Sequence, residues 1–440
     1  MKTSVSDRTA PVAAARPVTH VPAARTQVDA AAWPDVARPP RASAARTAVT
    51  RQIVRRALAA LPLRCAGGNG AVSGTEGPLV RIHDPQAFFR RVGGDGLIGF
   101  GESYMAGEWD ADDLVGALTV LASHVGSLVP RPLQRLRAVW ARRQPSAQRN
   151  TLAGSRENIH RHYDLSNDLF ALFLDTTMTY SSAVFRGLPA TWDALAAAQE
   201  RKIDRLLDLA GVGAGTRLLE IGTGWGELAL RAARRGAEVV TVTLSQEQRA
   251  LATRRVSQAG YGDRVSVDLR DYRQVEGTYD AVVSVEMIEA VGARYWPVYF
   301  AALRRLLAPG GRIAIQAITM PHERMLATRT TYTWIHKYIF PGGIIPSVDA
   351  IEQEAAACGL RVAQDDGFGA HYAETLRLWR ERFTERADDV TTLGFDTTFR
   401  RMWEFYLAYS EAGFRAGYLD VRQMLLTADS TSDDHDGGVR

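Results

Sequence analysis

Leu218-Leu219-Glu220-Ile221-Gly222-Thr223-Gly224-Trp225-Gly226 sets a short apolar run directly against three glycines spaced Gly-x-Gly-x-Gly. Glycines just after a strand let the backbone turn into a helix and come close to a ligand. Working outward, Glu227–Arg235 has a helical pattern, Glu238–Leu244 is β-branched, and Gln246–Ala259 is helical again. Val265–Leu269 and Ala281–Val285 are strand candidates, Ala301–Leu307 a helix, and Arg312–Ile318 a strand behind the turn Pro309-Gly310-Gly311. Strands alternating with helices imply an α/β fold, a mostly parallel sheet with helices on both faces. Ligands of such sheets sit beyond the carboxyl ends of the strands. The chemistry is therefore expected at Glu220–Gly226, Thr243–Gln248, Asp271–Tyr272, Glu286–Glu289 and Gln316–Thr319.

The chain has 440 residues, more than one compact core holds, so a second, smaller domain is expected. Residues 1–46, rich in Ala, Pro, Thr and Arg without periodicity, read as a disordered leader. Residues 47–145 read as a small N-terminal domain, with a strand at Pro78–Ile82 and helices around 85–91 and 112–124. Residues 146–428 carry the glycine-loop domain, and 429–440 a disordered tail. Arg131–Arg143 is basic and amphipathic, which suits either a solvated linker helix or a membrane-surface contact; a polar linker, Gln144–Ser155, follows. No apolar run approaches the roughly 20 residues of a membrane helix. A formal charge of +4 falls short of a nucleic-acid binder and suits an anionic membrane surface. Two cysteines exclude a disulfide framework and a Cys-based zinc site, and fit a reducing cytoplasm. His160 and His162, two apart without further ligands, make a weak metal pair, and no metal is expected.

The glycine loop lacks the Gly-x-Gly-x-x-Gly spacing of a dinucleotide site and the Gly-Lys-Ser/Thr of a phosphate loop. A plain structural turn is the bland alternative. Glu220 beside the loop suits instead a phosphate-free cofactor with cationic amino and sulfonium groups, S-adenosylmethionine.

Further segments follow in order: His162-Tyr163-Asp164-Leu165-Ser166-Asn167-Asp168-Leu169-Phe170, Met178-Thr179-Tyr180-Ser181-Ser182-Ala183, Val242-Thr243-Leu244-Ser245-Gln246-Glu247-Gln248, Glu286–Gly292, Tyr338-Ile339-Phe340-Pro341-Gly342-Gly343 and Phe414-Arg415-Ala416-Gly417-Tyr418. With the glycine loop they resemble the cyclopropane fatty acid synthase family of methyltransferases over roughly residues 150–427. Gly101-Glu102-Ser103-Tyr104-Met105 through Trp109-Asp110 is similar to that family's smaller N-terminal domain. The resemblance implies a Rossmann-like methyltransferase domain. It also implies that Tyr180, Ser181, Gly222, Gly224, Thr243, Leu244, Gln248, Asp271 and Tyr272 contact S-adenosylmethionine alongside Glu220. The second strand ends at Thr243 rather than in a carboxylate, so Gln248 is the expected polar partner there.

The implied reaction moves a methyl group onto a cis double bond of an acyl chain. An alkene is a weak nucleophile and the transfer leaves a carbocation, which asks for a dry pocket, a stabilising carboxylate or aromatic face, and a base. Proton loss from the new methyl closes a cyclopropane; a hydride shift before the loss gives a methylene branch that a partner reductase would saturate. The family's bicarbonate ligands map onto Ser182, Glu289, Gln316, Ile318 and Tyr372. Ser182 and Gln316 replace the usual Cys and His, and Ser410 another Cys, which leaves bicarbonate an open alternative for the base. Glu286 adds a carboxylate three residues before Glu289, where both could share a helical face and raise one pKa. The apolar insertion Tyr332, Trp334, Ile335, Tyr338, Ile339, Phe340, Ile344 and Ile345 suits either core packing or an acyl channel.

Cyclopropanation of an unsaturated phospholipid acyl chain is the default expectation, by an enzyme on the cytoplasmic membrane face and in the homodimeric form common in the family. Methylation of a small molecule and a non-catalytic lipid-binding role are the alternatives. Labelled-cofactor turnover without lipid marks the first, and lipid binding without turnover the second.

Overall fold

The computed structural model describes residues 28–67, 71–124 and 166–429. The basic stretch Arg131–Arg143, the linker after it, His160 and His162-Tyr163-Asp164 lie outside the described residues. A small sheet comes first, β1 (Arg64–Ala66), β2 (Val72–Ser73), β3 (Leu79–Ile82) and β4 (Trp109–Ala111), in the order β2-β1-β3-β4. The large sheet holds β5 (Arg217–Ile221), β6 (Glu238–Thr243), β7 (Val265–Leu269), β8 (Tyr279–Val285), β9 (Leu307–Thr319), β10 (Leu360–Gly367) and β11 (Asp420–Ala428). Its order is β10-β11-β9-β8-β5-β6-β7. Strands β5 to β9 pair in parallel, and β11 runs antiparallel between β9 and β10.

Period-two alternation distributes the core over the two faces. Leu219, Ile221, Val282, Ile313 and Ile315 pack against the helix Trp296–Leu306, through Tyr299, Phe300 and Leu303. Leu218, Val239, Ala281, Val283 and Ala314 pack on the other face against the helices Leu195–Leu209 and Glu227–Arg234. Each fully buried aliphatic chain contributes about 1.5–3 kcal/mol. Pro309-Gly310-Gly311 is not a turn ahead of β9 but a bulge inside it: Tyr279 pairs with Leu307, and Ala281 already with Arg312. Gly310, at φ 71°, takes the left-handed backbone this requires.

The N-terminal unit is welded to the larger sheet's helices by one aromatic core. Phe88, Trp109, Phe170, Trp379, Trp403 and Phe405 belong to it together. Trp334 inserts over the helix Leu97–Met105, where a Cβ on Gly101 would lie 2.4 Å from its ring. The expected disordered leader is corrected from residue 28 onward. Pro34–Ala37 and Ala44–Ala59 are helices, Val36 is buried, and Arg91 donates to the carbonyls of Asp35 (2.9 Å) and Val36 (2.5 Å). Trp33 Nε1 donates to Asp396 at 2.8 Å. Local composition could not reveal this, because the partners come from other parts of the chain. Among the described residues no helix is long and apolar enough to cross a membrane.

Candidate active site

A cavity of about 1600 Å³ borders the carboxyl ends of β5, β6 and β8. All ten residues expected at the cofactor line it: Tyr180, Ser181, Glu220, Gly222, Gly224, Thr243, Leu244, Gln248, Asp271 and Tyr272. Gly222, at φ 99°, could not carry a side chain without strain, and its Cβ would come within 2.7 Å of Met287. The N–H of Gly222 donates to Val242 O at 3.0 Å, which ties the loop to the end of β6. Thr243 Oγ1 donates to Gln248 Oε1 at 2.8 Å, so the residue replacing a ribose-binding carboxylate orients the glutamine. Asp271 is held by Arg273 at 2.8 and 2.7 Å, and Arg273 lies over the Tyr272 ring.

Burial pushes the Glu220 carboxyl up to about 8, with a hydrogen bond to Thr241 and the Lys202 charge pulling the other way. Its Oε2 is buried and has no hydrogen-bond partner. Lys202, pushed down to about 8 by burial, donates to Ser181 Oγ at 2.6 Å. A glycine cradle, an orphaned carboxylate oxygen and a positioned glutamine fit an adenosine cofactor that carries a positive charge.

The carboxylate end differs from expectation in who holds what. Glu286, not Glu289, is the hub. Glu286 Oε1 accepts from the Ser182 N–H (2.9 Å) and Gln316 Nε2 (2.8 Å), and Oε2 accepts from Tyr372 O–H (2.7 Å). Gln316 is fixed in turn by Gln423 Nε2 at 3.0 Å. Ser182 acts through its backbone; its hydroxyl points to Ala183 O, 3.2 Å away. Ser182 and Gln316 are fully buried behind the cavity wall, whereas Glu286, Glu289, Tyr372 and Ser410 line the cavity itself. The donors expected around a bicarbonate are thus engaged by a side chain.

The shared helical face is also corrected. Glu286 follows directly on β8 with φ 50°, ahead of the helix Ile288–Val291 that carries Glu289. Glu289 Oε1 accepts from the Ile318 N–H, while Oε2 is buried without a partner. Burial first, and then the charge of Glu286, push Glu289 up to about 8. Burial also raises Glu286, opposed by its three hydrogen bonds and by the charge of Lys202.

The apolar insertion splits between its two readings. Tyr332, Ile335, Phe340, Ile344 and Ile345 line the cavity, while Trp334, Tyr338 and Ile339 pack inward. Tyr406, whose hydroxyl meets that of Tyr180 at 2.7 Å, Lys202 and Gln423 were not expected. Each sits in an ordinary helix or strand pattern, so only its unusual burial for a polar residue marks it.

Residues 150–424 match the family model described as mycolic acid cyclopropane synthetase. A tuberculostearic acid methyltransferase of Mycobacterium tuberculosis is 58% identical, covering 91% of this chain and 96% of the relative. The cyclopropane-fatty-acyl-phospholipid synthase of Escherichia coli K12 is 34% identical, covering 81% and 90%. Among solved structures, the mycolic acid cyclopropane synthase complexed with SAH and CTAB aligns with a TM-score of 0.57 at 31% identity, covering 64% of this chain and 98% of that one.

Proposed function

We propose, since this chain belongs to the mycolic acid cyclopropane synthetase family and is an S-adenosylmethionine-dependent methyltransferase, that it methylates the cis double bond of an unsaturated acyl chain on phospholipid and leaves a methylene branch. The observation that carries this is the pair Glu286 and Glu289 on the wall of the cavity that also borders the glycine loop. When bound, S-adenosylmethionine supplies an electrophilic methyl group.

The chain's residues do the rest. Tyr332, Ile335, Phe340 and Ile344 offer an alkyl chain an apolar wall and keep water from the cation. Glu286, fixed by three donors, supplies a negative charge close to the reacting carbons without needing a free anion. The alkene's π pair forms the new carbon–carbon bond and the neighbouring carbon becomes cationic. A hydride shifts onto that carbon from the methylated one. Glu289 Oε2 then takes a proton from the methyl group, and the released pair forms the methylene double bond.

Support for the branch over the ring comes from two sides. The relative named for tuberculostearic acid, a methyl-branched acid, is 58% identical, against 34% for the one named for the ring. Both products lose their proton from the new methyl group, so the branch requires the hydride shift to come first; with the Ser182 N–H and Gln316 engaged by Glu286, fewer donors remain to hold a bicarbonate that would take the proton before the shift. A saturated product would need a separate reductase.

The test is expression in a host that makes monounsaturated phospholipids, with mass spectrometry of the acyl chains. A gain of one CH2, cleaved by ozone at a methylene carbon, is expected. An ozone-resistant gain would identify the ring, and its dependence on added bicarbonate would return that anion to the site. Folded, cofactor-binding protein with no new acyl species would reject acyl methylation.

A further inference from the structure

The cavity that borders the two carboxylates does not end among the strands. It continues beneath the helix Ala44–Ala59 and is lined there by Val49, Ile53, Ala57 and Leu58. Leu97, which opens the helix Leu97–Met105 directly after Gly96, lines the same end. Two of these residues are apolar and yet open to solvent: Val49 is 58% exposed and Leu97 57%. Isolated apolar side chains on a surface need no explanation, but a pair at the rim of an apolar cavity marks where an apolar ligand comes and goes.

The charge on the helix side of that rim is one-sided, although Asp95, two residues before Leu97, also lines this end. Residues 36–75 hold seven arginines and no Asp, Glu or Lys, a larger positive count than the +4 of the whole chain. Arg51, Arg55 and Arg56 stand exposed on the side of the helix that does not line the cavity. Arg46, at the rim, donates to Gly94 O at 3.1 Å and so ties the helix Ala44–Ala59 to the end of the helix Pro85–Asp95, just ahead of Leu97. Val72, 56% exposed, adds a third apolar side chain on the same small unit.

We propose that this face, the helix Ala44–Ala59 with Val49 and Leu97, docks on an anionic phospholipid bilayer and opens the cavity to the acyl chains within it. Cationic side chains around an apolar rim match anionic headgroups over hydrocarbon, and a lipid entering there reaches the carboxylates without crossing water. The proposal rests on the acyl reading for what enters the cavity, but the docking itself is measured without catalysis.

The experiment is co-sedimentation of the full chain with vesicles of phosphatidylcholine alone or with about a third phosphatidylglycerol. Binding is expected only to the anionic vesicles and to fall as salt rises. Arg55→Gln/Arg56→Gln should weaken it about 30-fold, at roughly a fifth of the affinity kept per arginine lost. Arg361→Gln/Arg386→Gln, exposed elsewhere on the surface, should change it less than about threefold. Equal loss in the two double variants, or equal binding to both vesicles, would overturn the docking face. Because Arg55 and Arg56 do not line the cavity, their variant should keep wild-type turnover on substrate dispersed in neutral detergent. Absence of turnover there in both proteins would reject the acyl reading and leave the docking result standing.

Discussion

The two ends of the cavity are built in opposite ways. The glycine-loop end is local: Glu220 to Gly226, Thr243 to Gln248, and Asp271 with Tyr272 lie at the tips of adjacent parallel strands. The carboxylate end is assembled from Ser182, Glu286, Gln316, Tyr372 and Gln423, which sequence holds far apart. Backbone geometry governs the first and side-chain hydrogen bonding the second. The glycine-loop end should accordingly respond to substitution mainly in cofactor affinity, and the carboxylate end in turnover and pH dependence.

The sharpest break of this division is Glu289→Gln. Removing a general base typically costs 10²–10⁴-fold, so kcat should fall by about 10³ while the Kd for S-adenosylmethionine stays within about twofold. Single-turnover kinetics and calorimetry measure the two separately. An equal loss in both would mean that Glu289 supports the cofactor site rather than the reaction.

Gly222→Ala is the matching test at the other end. The substitution meets a φ of 99° and a contact 2.7 Å from Met287, for a cost of about 1–3 kcal/mol. Cofactor affinity should drop about 10- to 100-fold, with kcat at saturating cofactor far less affected. A fall in kcat alone would erase the contrast between the two ends.

That contrast also explains what could be read from the sequence. The strand-loop-helix alternation placed β5 to β8 within two residues of their observed ends, because hydrophobic period and glycine position are local signals. β10 and β11 gave no such signal: one is a polar edge strand, and both owe their pairing to antiparallel partners. The residues expected at the cofactor were legible in part because strand tips mark where a ligand sits, and for Tyr180 and Ser181 only through the family resemblance. Glu286 was legible as an extra carboxylate but not as the hub, since nothing in Glu286–Gly292 tells which carboxylate Tyr372 and Gln316 will reach. The docked segment 28–46 was lost for the same reason, its arginine partner lying at position 91.

Glu286→Gln reads the coupling between the carboxylates. Glu289 serves as a base only when ionised, so the rate should climb with pH through about 8. With the Glu286 charge gone, ionising Glu289 becomes easier and that limb should move to lower pH, even if the maximum rate falls about tenfold through loss of cation stabilisation. Stability carries the opposite sign. Between the ordinary value of 4.5 and about 8, Glu289 and Glu220 stay protonated in the fold and ionise in the unfolded chain. Folding takes up protons over that window, so thermal stability should decline as pH rises through it. Glu289→Gln and Glu220→Gln should each flatten the decline, and an unchanged slope in both would place the titration elsewhere.

Ser410→Ala should have the smallest effect. Ser410 lines the cavity from the helix Thr397–Arg415, but it takes no part in the hydrogen-bonded set that holds Glu286. If the carboxylate end works as one network, a residue outside it contributes only wall. Turnover should then stay within about threefold, and the pH limb near 8 should not move. A shift of that limb in Ser410→Ala would extend the network across the cavity to the C-terminal helix. The boundary between the two ends would then be drawn through the wrong residues.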